Sequence, residues 1–260
     1  MILMEGRITT FAILILISAV IVYLILRGRG GRVPKLRRLP SLDAIEEAVG
    51  RAVEMGRPVV YSTGLSTLSD ANSAQTLASL DILDYVANLS VSKDAKLVAL
   101  TPVPTVLPVM QEIVKSNYRA QNKLEEYRED EMVRFLSDQQ FAYAAGALGV
   151  IHRENAAAHI LMGAFWAESL LIAEAAYKVG AIQVGGTANT HQVPFIITVC
   201  DYALIGEELL AAGAYLSEDP AQAGSIAGQD FGKILAIVLI LLGMILATVG
   251  SNAMIQFLGF

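Results

Sequence analysis

Three rhythms of apolar and polar positions divide this chain. The first is an unbroken apolar run, and it occurs twice. "ITTFAILILISAVIVYLIL" covers Ile8 to Leu26 without a charge, and "ILAIVLILLGMILATVG" covers Ile234 to Gly250. At about 1.5 Å of rise per residue, each makes a helix close to the ~30 Å of a hydrocarbon layer. The second rhythm is helical. Ile45, Ala48, Val49, Ala52 and Val53 recur at i, i+3, i+4, i+7 and i+8 as one apolar stripe. Ser41 is the expected N-cap of that helix, Gly56 its stop, and Pro58 stands just beyond. The third rhythm is a series of short apolar runs: "PVVYS" (58–62), "KLVAL" (96–100), "MVRFL" (132–136), "AHILMGAF" (158–165), "AIQVGG" (181–186) and "PFIITVC" (194–200).

Apolar runs of this length, separated mostly by helical segments, are the mark of βαβ units. They predict an α/β fold: a Rossmann-like, mostly parallel sheet of five or six strands with helices on both faces. An N-terminal and a C-terminal transmembrane helix bracket it. The chain then divides into a first span (1–27), a basic linker (28–40), the α/β body (41–219) and a helix that continues into the second span (220–260). Asp201 is expected to cap a helix over "YALIGEELLAAGAYL", and "TVLPVMQEIVKSNY" to start one that runs into "QNKLEEYREDE".

Composition agrees with spans: 54% of residues are hydrophobic and the mean hydropathy is +0.52. A cleaved signal peptide would also begin with an apolar run. Here the run is longer than the ~7–15 residues of an h-region, and no A-x-A-like site follows. Charge sets a direction. Arg27, Arg29, Arg32, Lys35, Arg37 and Arg38 follow the first run, and Lys233 precedes the second with no basic residue after it. The positive-inside rule then places both termini outside the cell membrane and the main domain in the cytoplasm. The basic block is also suited to anionic lipid headgroups. From Leu39 to Gly232, by contrast, 24 acidic residues face 11 basic ones. An acidic body argues against nucleic acid, whose phosphates need the opposite sign. The single Cys200 allows no intramolecular disulfide and suits a reducing compartment.

In open parallel sheets, ligands bind beyond the carboxyl ends of the strands. The candidate ligand residues are therefore Ser62, Thr63, Gly64, Thr101, Asp138, Gly186, Thr187, Asn189, His191 and Asp201. They are small, hydroxylated or acidic, which suits a small polar ligand and equally suits helix capping. "VGGTANTHQVP" (184–194) is the most loop-like of these ends. Neither G-x-G-x-x-G nor G-x-x-x-x-G-K-[ST] is present, and G-x-S-x-G is missing too. His152, Glu154 and His159 do not make a zinc ligand set. The expectation is no catalytic constellation, no metal and no cofactor.

"AIEEAVGRAVEMGRPV" after an N-terminal span, and "GEELLAAGAYLSEDPAQAGSIAGQDFGK" before a C-terminal one, together resemble a family of uncharacterised prokaryotic membrane proteins. That resemblance implies the architecture and assigns no activity. Within the second segment Asp219 and Pro220 read as a helix cap and N1 residue. Gly224, Gly228 and Gly232 then fall on one helix face, where each costs about 1 kcal/mol against Ala. Close backbone approach by another helix offsets that cost. The partner could be the first span, the domain's own surface or a neighbouring subunit. Because the glycines precede Lys233, they are expected at or below the membrane surface, where a subunit contact fits best. The leading reading is a homo-oligomeric, membrane-anchored scaffold, open to regulation by a small ligand. The alternative is a membrane-tethered enzyme acting on a small metabolite in the strand-end cleft.

Overall fold

The computed structural model describes residues 8–29, 39–217 and 220–258. In chain order the elements are α1 (Ile8–Arg29), α2 (Pro40–Met55), β1 (Val59–Thr63), α3 (Ser73–Ser92), β2 (Leu97–Thr101), α4 (Leu107–Ala120), α5 (Glu129–Met132), β3 (Val133–Phe135), α6 (Gln140–Glu154), β4 (Ala158–Met162), α7 (Glu168–Lys178), β5 (Ile182–Thr187), α8 (Val193–Val199), β6 (Tyr202–Ile205), α9 (Glu207–Ser217), α10 (Pro220–Thr248) and α11 (Ala253–Leu258). They fall into two compact units. One holds α2 to α9 with the whole sheet, and the other holds α1, α10 and α11.

The sheet has six parallel strands in the order β3-β2-β1-β4-β5-β6. This is the Rossmann order, and its direction of winding reverses between β1 and β4. The strands are mostly apolar because helices cover both faces. On one face Tyr61, Ala99, Ile160 and Val184 pack with Ile45 and Val49 of α2, Leu83 of α3, Met110 of α4 and Leu209 of α9. On the other, Val60, Val98, Leu100 and Leu161 pack with Tyr143 and Ile151 of α6, Ile172 of α7 and Ile196 of α8. Each of the larger aliphatic side chains among them, fully buried, contributes about 1.5–3 kcal/mol.

Three local expectations are corrected. "PFIITVC" is the helix α8 and not a strand, and β6 lies after it at Tyr202–Ile205. Pro194 stands in the first turn of α8, and the Asn189 carbonyl accepts from both Gln192 and Val193 N–H, so the chain is already turning. Helix α4 stops at Ala120, because Asn122 takes a left-handed φ of 58° and Lys123 N–H returns to the Tyr118 carbonyl. Ser41 does not cap α2. Leu39 holds the N-cap position, and the Ser41 hydroxyl donates to the Ala203 carbonyl of β6 at 2.8 Å. Gly56, at φ 61°, closes α2 as expected.

In the second unit, α1 and α10 are both long and apolar enough to cross a membrane, with mean hydropathies of 2.8 and 2.5. Pro220 opens α10, while Asp219 lies outside the described residues. At the far end Thr10 Oγ1 donates to the Leu258 carbonyl of α11 at 3.3 Å.

Candidate functional site

The carboxyl edge of the sheet is where this strand order binds ligands, so the polar residues there decide the chemistry. Thr63 and Thr101 end β1 and β2, and their hydroxyls bond each other at 3.0 Å. Thr101 Oγ1 also accepts from Val103 N–H, and the Thr63 carbonyl accepts from Tyr143 OH at 3.0 Å. At the end of β5, Gln75 of α3 accepts from Ala188 N–H at 2.8 Å and donates to Asn189 Oδ1 at 2.9 Å. Asn189 in turn donates to the Phe165 carbonyl. Thr63, Thr101, Gln75, Thr187 and Asn189 are all buried. Four of the expected residues thus meet at this edge, but they bond to one another and to the backbone.

The switch point itself is closed by backbone. Gly64 N–H donates to the Met162 carbonyl at 3.2 Å, and Leu65 N–H to the Ala164 carbonyl at 2.9 Å, so β1–β4 pairing continues past both strands. A Cβ on Gly64 would overlap the Ala164 backbone. Gly163, at φ 129°, donates to the Gly186 carbonyl and seals the β4–β5 side. A Cβ on Gly186 would lie 2.6 Å from Met162 Sδ. The loop between β1 and α3, which in this strand order cradles a pyrophosphate, is here an exposed turn bonded to itself. The Asp70 carboxylate accepts from Thr67 N–H at 2.6 Å and from Asn72 N–H at 2.9 Å.

The other expected residues lie apart. Ser62 faces the opposite side of the sheet, where its Oγ is 3.0 Å from Nε2 of His159. Burial holds that imidazole neutral and lowers its pKa to about 4. Asp138 is exposed beyond β3. His191 is exposed, its ring 6.5 Å from that of Trp166. Asp201 is corrected outright. It precedes β6, so it lies at the amino edge, where it accepts from Gln183 N–H at 2.8 Å. Burial pushes the neighbouring Cys200 thiol up to about 12, which leaves it a poor nucleophile. Glu154 bonds Lys96 and Arg134 at the surface, and the Lys96 contact holds its carboxyl below the usual range. It does not converge with His159. Among the described residues no three His, Cys, Asp or Glu side chains gather in one place.

Sequence reasoning missed Asp70, Gln75 and Glu168. Glu168 is fully buried, and its carboxylate accepts from Trp166 N–H at 2.9 Å and from the Gln140 amide. The available signal was position. Gln75 and Glu168 each stand in the first turn of a helix that follows a strand.

The glycine strip has a partner inside the chain. A Cβ on Gly224 would lie 2.6 Å from the Leu24 carbonyl oxygen and 2.8 Å from Ile25 Cα. One on Gly228 would lie 2.8 Å from Ile21 Cγ1, and one on Gly232 would lie 3.9 Å from Ile17 Cγ2. On α1, a Cβ at Gly28 would overlap the Pro220 carbonyl oxygen. The strip therefore packs on the uncharged stretch of α1. Of the basic block, Arg27 and Arg29 are exposed at the end of α1, while Arg32, Lys35, Arg37 and Arg38 lie outside the described residues.

A family model described as Domain of unknown function (DUF6754) matches residues 1–258, and the chain belongs to that family. No curated protein and no solved structure matches it.

Proposed function

We propose that this member of the DUF6754 family is a membrane-anchored assembly module: a non-catalytic α/β body held at a bilayer by the paired helices α1 and α10. One observation favours assembly over catalysis. The crevice where this strand order takes a dinucleotide is narrowed by the Gly64–Ala164 backbone contact, and the Asp70 carboxylate holds the Thr67 and Asn72 N–H groups of the β1–α3 loop. Of the polar residues on which the competing enzyme reading rests, Thr63, Thr101, Thr187 and Asn189 are already bonded to each other or to their neighbours, and His191 and Asp138 stand exposed and apart.

Anchoring is supported by α1 and α10. Their outward side chains are large and apolar, with Leu14, Tyr23, Ile237 and Ile240 each at least half exposed. In water that surface would be costly, and in lipid it is at home. The basic residues after Leu26 orient the α/β body toward the cytoplasm and both termini outward. They add attraction to anionic lipid of about 1 kcal/mol per charge.

Alkaline carbonate extraction of membranes, followed by labelling of single cysteines on intact cells, tests this reading. Retention in the pellet, with labelling only at the two ends of the chain, is expected. Release into the supernatant would remove the anchor, and labelling of the α/β body would invert the orientation.

A further inference from the structure

The amino edge of the sheet, opposite the crevice, holds a cavity of about 210 Å³. It lies between the end of α3, the chain leading into β2 and the end of α4. At ~30 Å³ of liquid per water it has room for about seven waters, or for a ligand with a similar number of non-hydrogen atoms. Two residues in the left-handed region turn the chain around it. Asp94, at φ 56°, follows α3, and Asn122, at φ 58°, follows α4. Behind Asp94, Ala95 N–H returns to the Ser90 carbonyl at 2.8 Å and closes the helix.

Two polar side chains of the lining have no hydrogen-bond partner among the described residues. Tyr118 is only 6% exposed, its ring held 5.8 Å from that of Tyr127, and its hydroxyl is unbonded. The Ser90 hydroxyl, fully buried, is the other. Burial raises the Tyr118 pKa, and the carboxylates of Glu126 and Asp94, both in the lining, raise it further. The cations of the lining are already engaged. Lys96 donates to Glu154 at 2.8 Å. Lys123 donates to the Val91 carbonyl at 2.9 Å and to the Asp94 carboxylate. Glu126 has no ion pair among the described residues. The last carbonyls of α3 and α4 add partial negative charge. The lining is therefore rich in acceptors, and Glu126 is left unbalanced.

We propose that this cavity binds a small organic cation carrying a primary ammonium group. Such a group brings three N–H donors and no acceptor. The lining answers with the Glu126 carboxylate, the Tyr118 hydroxyl and the carbonyls at the helix ends. Lys123 makes the same match within the chain, since its own ammonium rests on the Val91 carbonyl and on Asp94. Val91, Ala95 and Met132 supply the apolar part of the wall, which suits a short carbon chain. A buried hydroxyl without a partner is costly, and a ligand that bonds it removes that cost. The cavity lies at the edge away from Gly64 and the β1–α3 loop, so it is separate from the crevice and does not depend on the anchoring proposed above.

Saturation-transfer NMR on the full chain in detergent, with n-butylammonium chloride as the probe, tests this. Saturable binding with a Kd of about 1 mM is expected for so small a ligand. Glu126→Gln should weaken it about tenfold, and Tyr118→Phe, which removes only the hydroxyl, about threefold. Butan-1-ol has the same carbon chain without the charge and should bind about tenfold more weakly than the amine. Glu54→Gln alters an exposed carboxylate of α2 outside the cavity and should leave the affinity unchanged. Glu126 is exposed and Phe keeps the Tyr118 ring, so both cavity variants should melt as wild type does. The absence of a saturable signal, equal binding by butan-1-ol, or a loss in Glu54→Gln as large as in Glu126→Gln overturns the proposal.

Discussion

Gly64 and Gly228 each give up a side chain so that two stretches of chain can meet, yet different forces hold the two seams shut. Around Gly64 the sheet is sandwiched between helices, and the hydrophobic effect presses β1 against β4 from both sides. Around Gly228 the outer surfaces of both helices are as apolar as the seam. Under the proposed anchoring only close packing favours association there, because lipid would solvate the separated helices equally well. The first seam is one part of a cooperative core. The second depends on its own fit.

Breaking the sheet seam should have the largest effect. Gly64→Ala sets a methyl group against the Ala164 backbone, which has nowhere to move. A loss of about 3 kcal/mol is expected, or roughly 10 °C in melting temperature. Trp166 is the only tryptophan and lies in the α/β unit, so its emission reads this unit alone. A melting temperature within two degrees of wild type would show that the β1–β4 closure is slack.

Acid should separate the units almost as strongly. All three histidines belong to the α/β unit. His159 has a folded pKa of about 4 against an ordinary value of 6.5. Between those values the unfolded chain binds the extra proton, so stability is complete above about pH 6.5 and falls as pH drops toward 4. The loss approaches about 3 kcal/mol. His159→Gln should flatten the Trp166 melting curve between pH 7 and 5, and an unchanged slope would assign the acid sensitivity elsewhere.

Gly228→Leu tests the helix seam. The side chain would enter Ile21, and forcing the helices apart should cost about 2 kcal/mol. Circular dichroism melts in detergent should shift down while Trp166 emission holds. Leu is the better helix former by nearly 1 kcal/mol, so an equal or raised melting temperature would mean the glycines do not pack. Gly232→Ala should give the smallest effect, and with the opposite sign. A Cβ there is at ordinary contact distance from Ile17, so the change should be neutral or stabilising by up to about 1 kcal/mol. Destabilisation would mean a tighter partner than α1.

The parallel sheet and both apolar helices were legible because they rest on runs of like residues, which report burial directly. The strands at 59–63, 97–101 and 158–162 needed nothing beyond local pattern. "PFIITVC" misled because its β-branched residues favour a strand, while Pro194 and the Asn189 carbonyl start a helix. With that helix assigned, Asp201 moves from the carboxyl edge to the amino edge. The closure of the crevice was not legible. Gly64 matters because Ala164 comes to lie beside it, and Asp70 matters because its loop folds around it. Both are contacts made by the fold, and spacing along the chain does not reveal them. The glycine strip was visible as a need for a close neighbour, but the neighbour stands some 200 residues away.

That distance along the chain also sets the order of events at the ribosome. Gly28 is made early, and Pro220, whose carbonyl it accommodates, comes about 190 residues later. At roughly 5–20 residues per second, α1 waits on the order of ten to forty seconds for its partner. The α/β unit is complete before α10 begins, so it can fold while α1 is still a lone helix. The seam closes only after the α/β unit is made, and a ribosome that stops short of α10 would release a folded body on a single unpartnered helix.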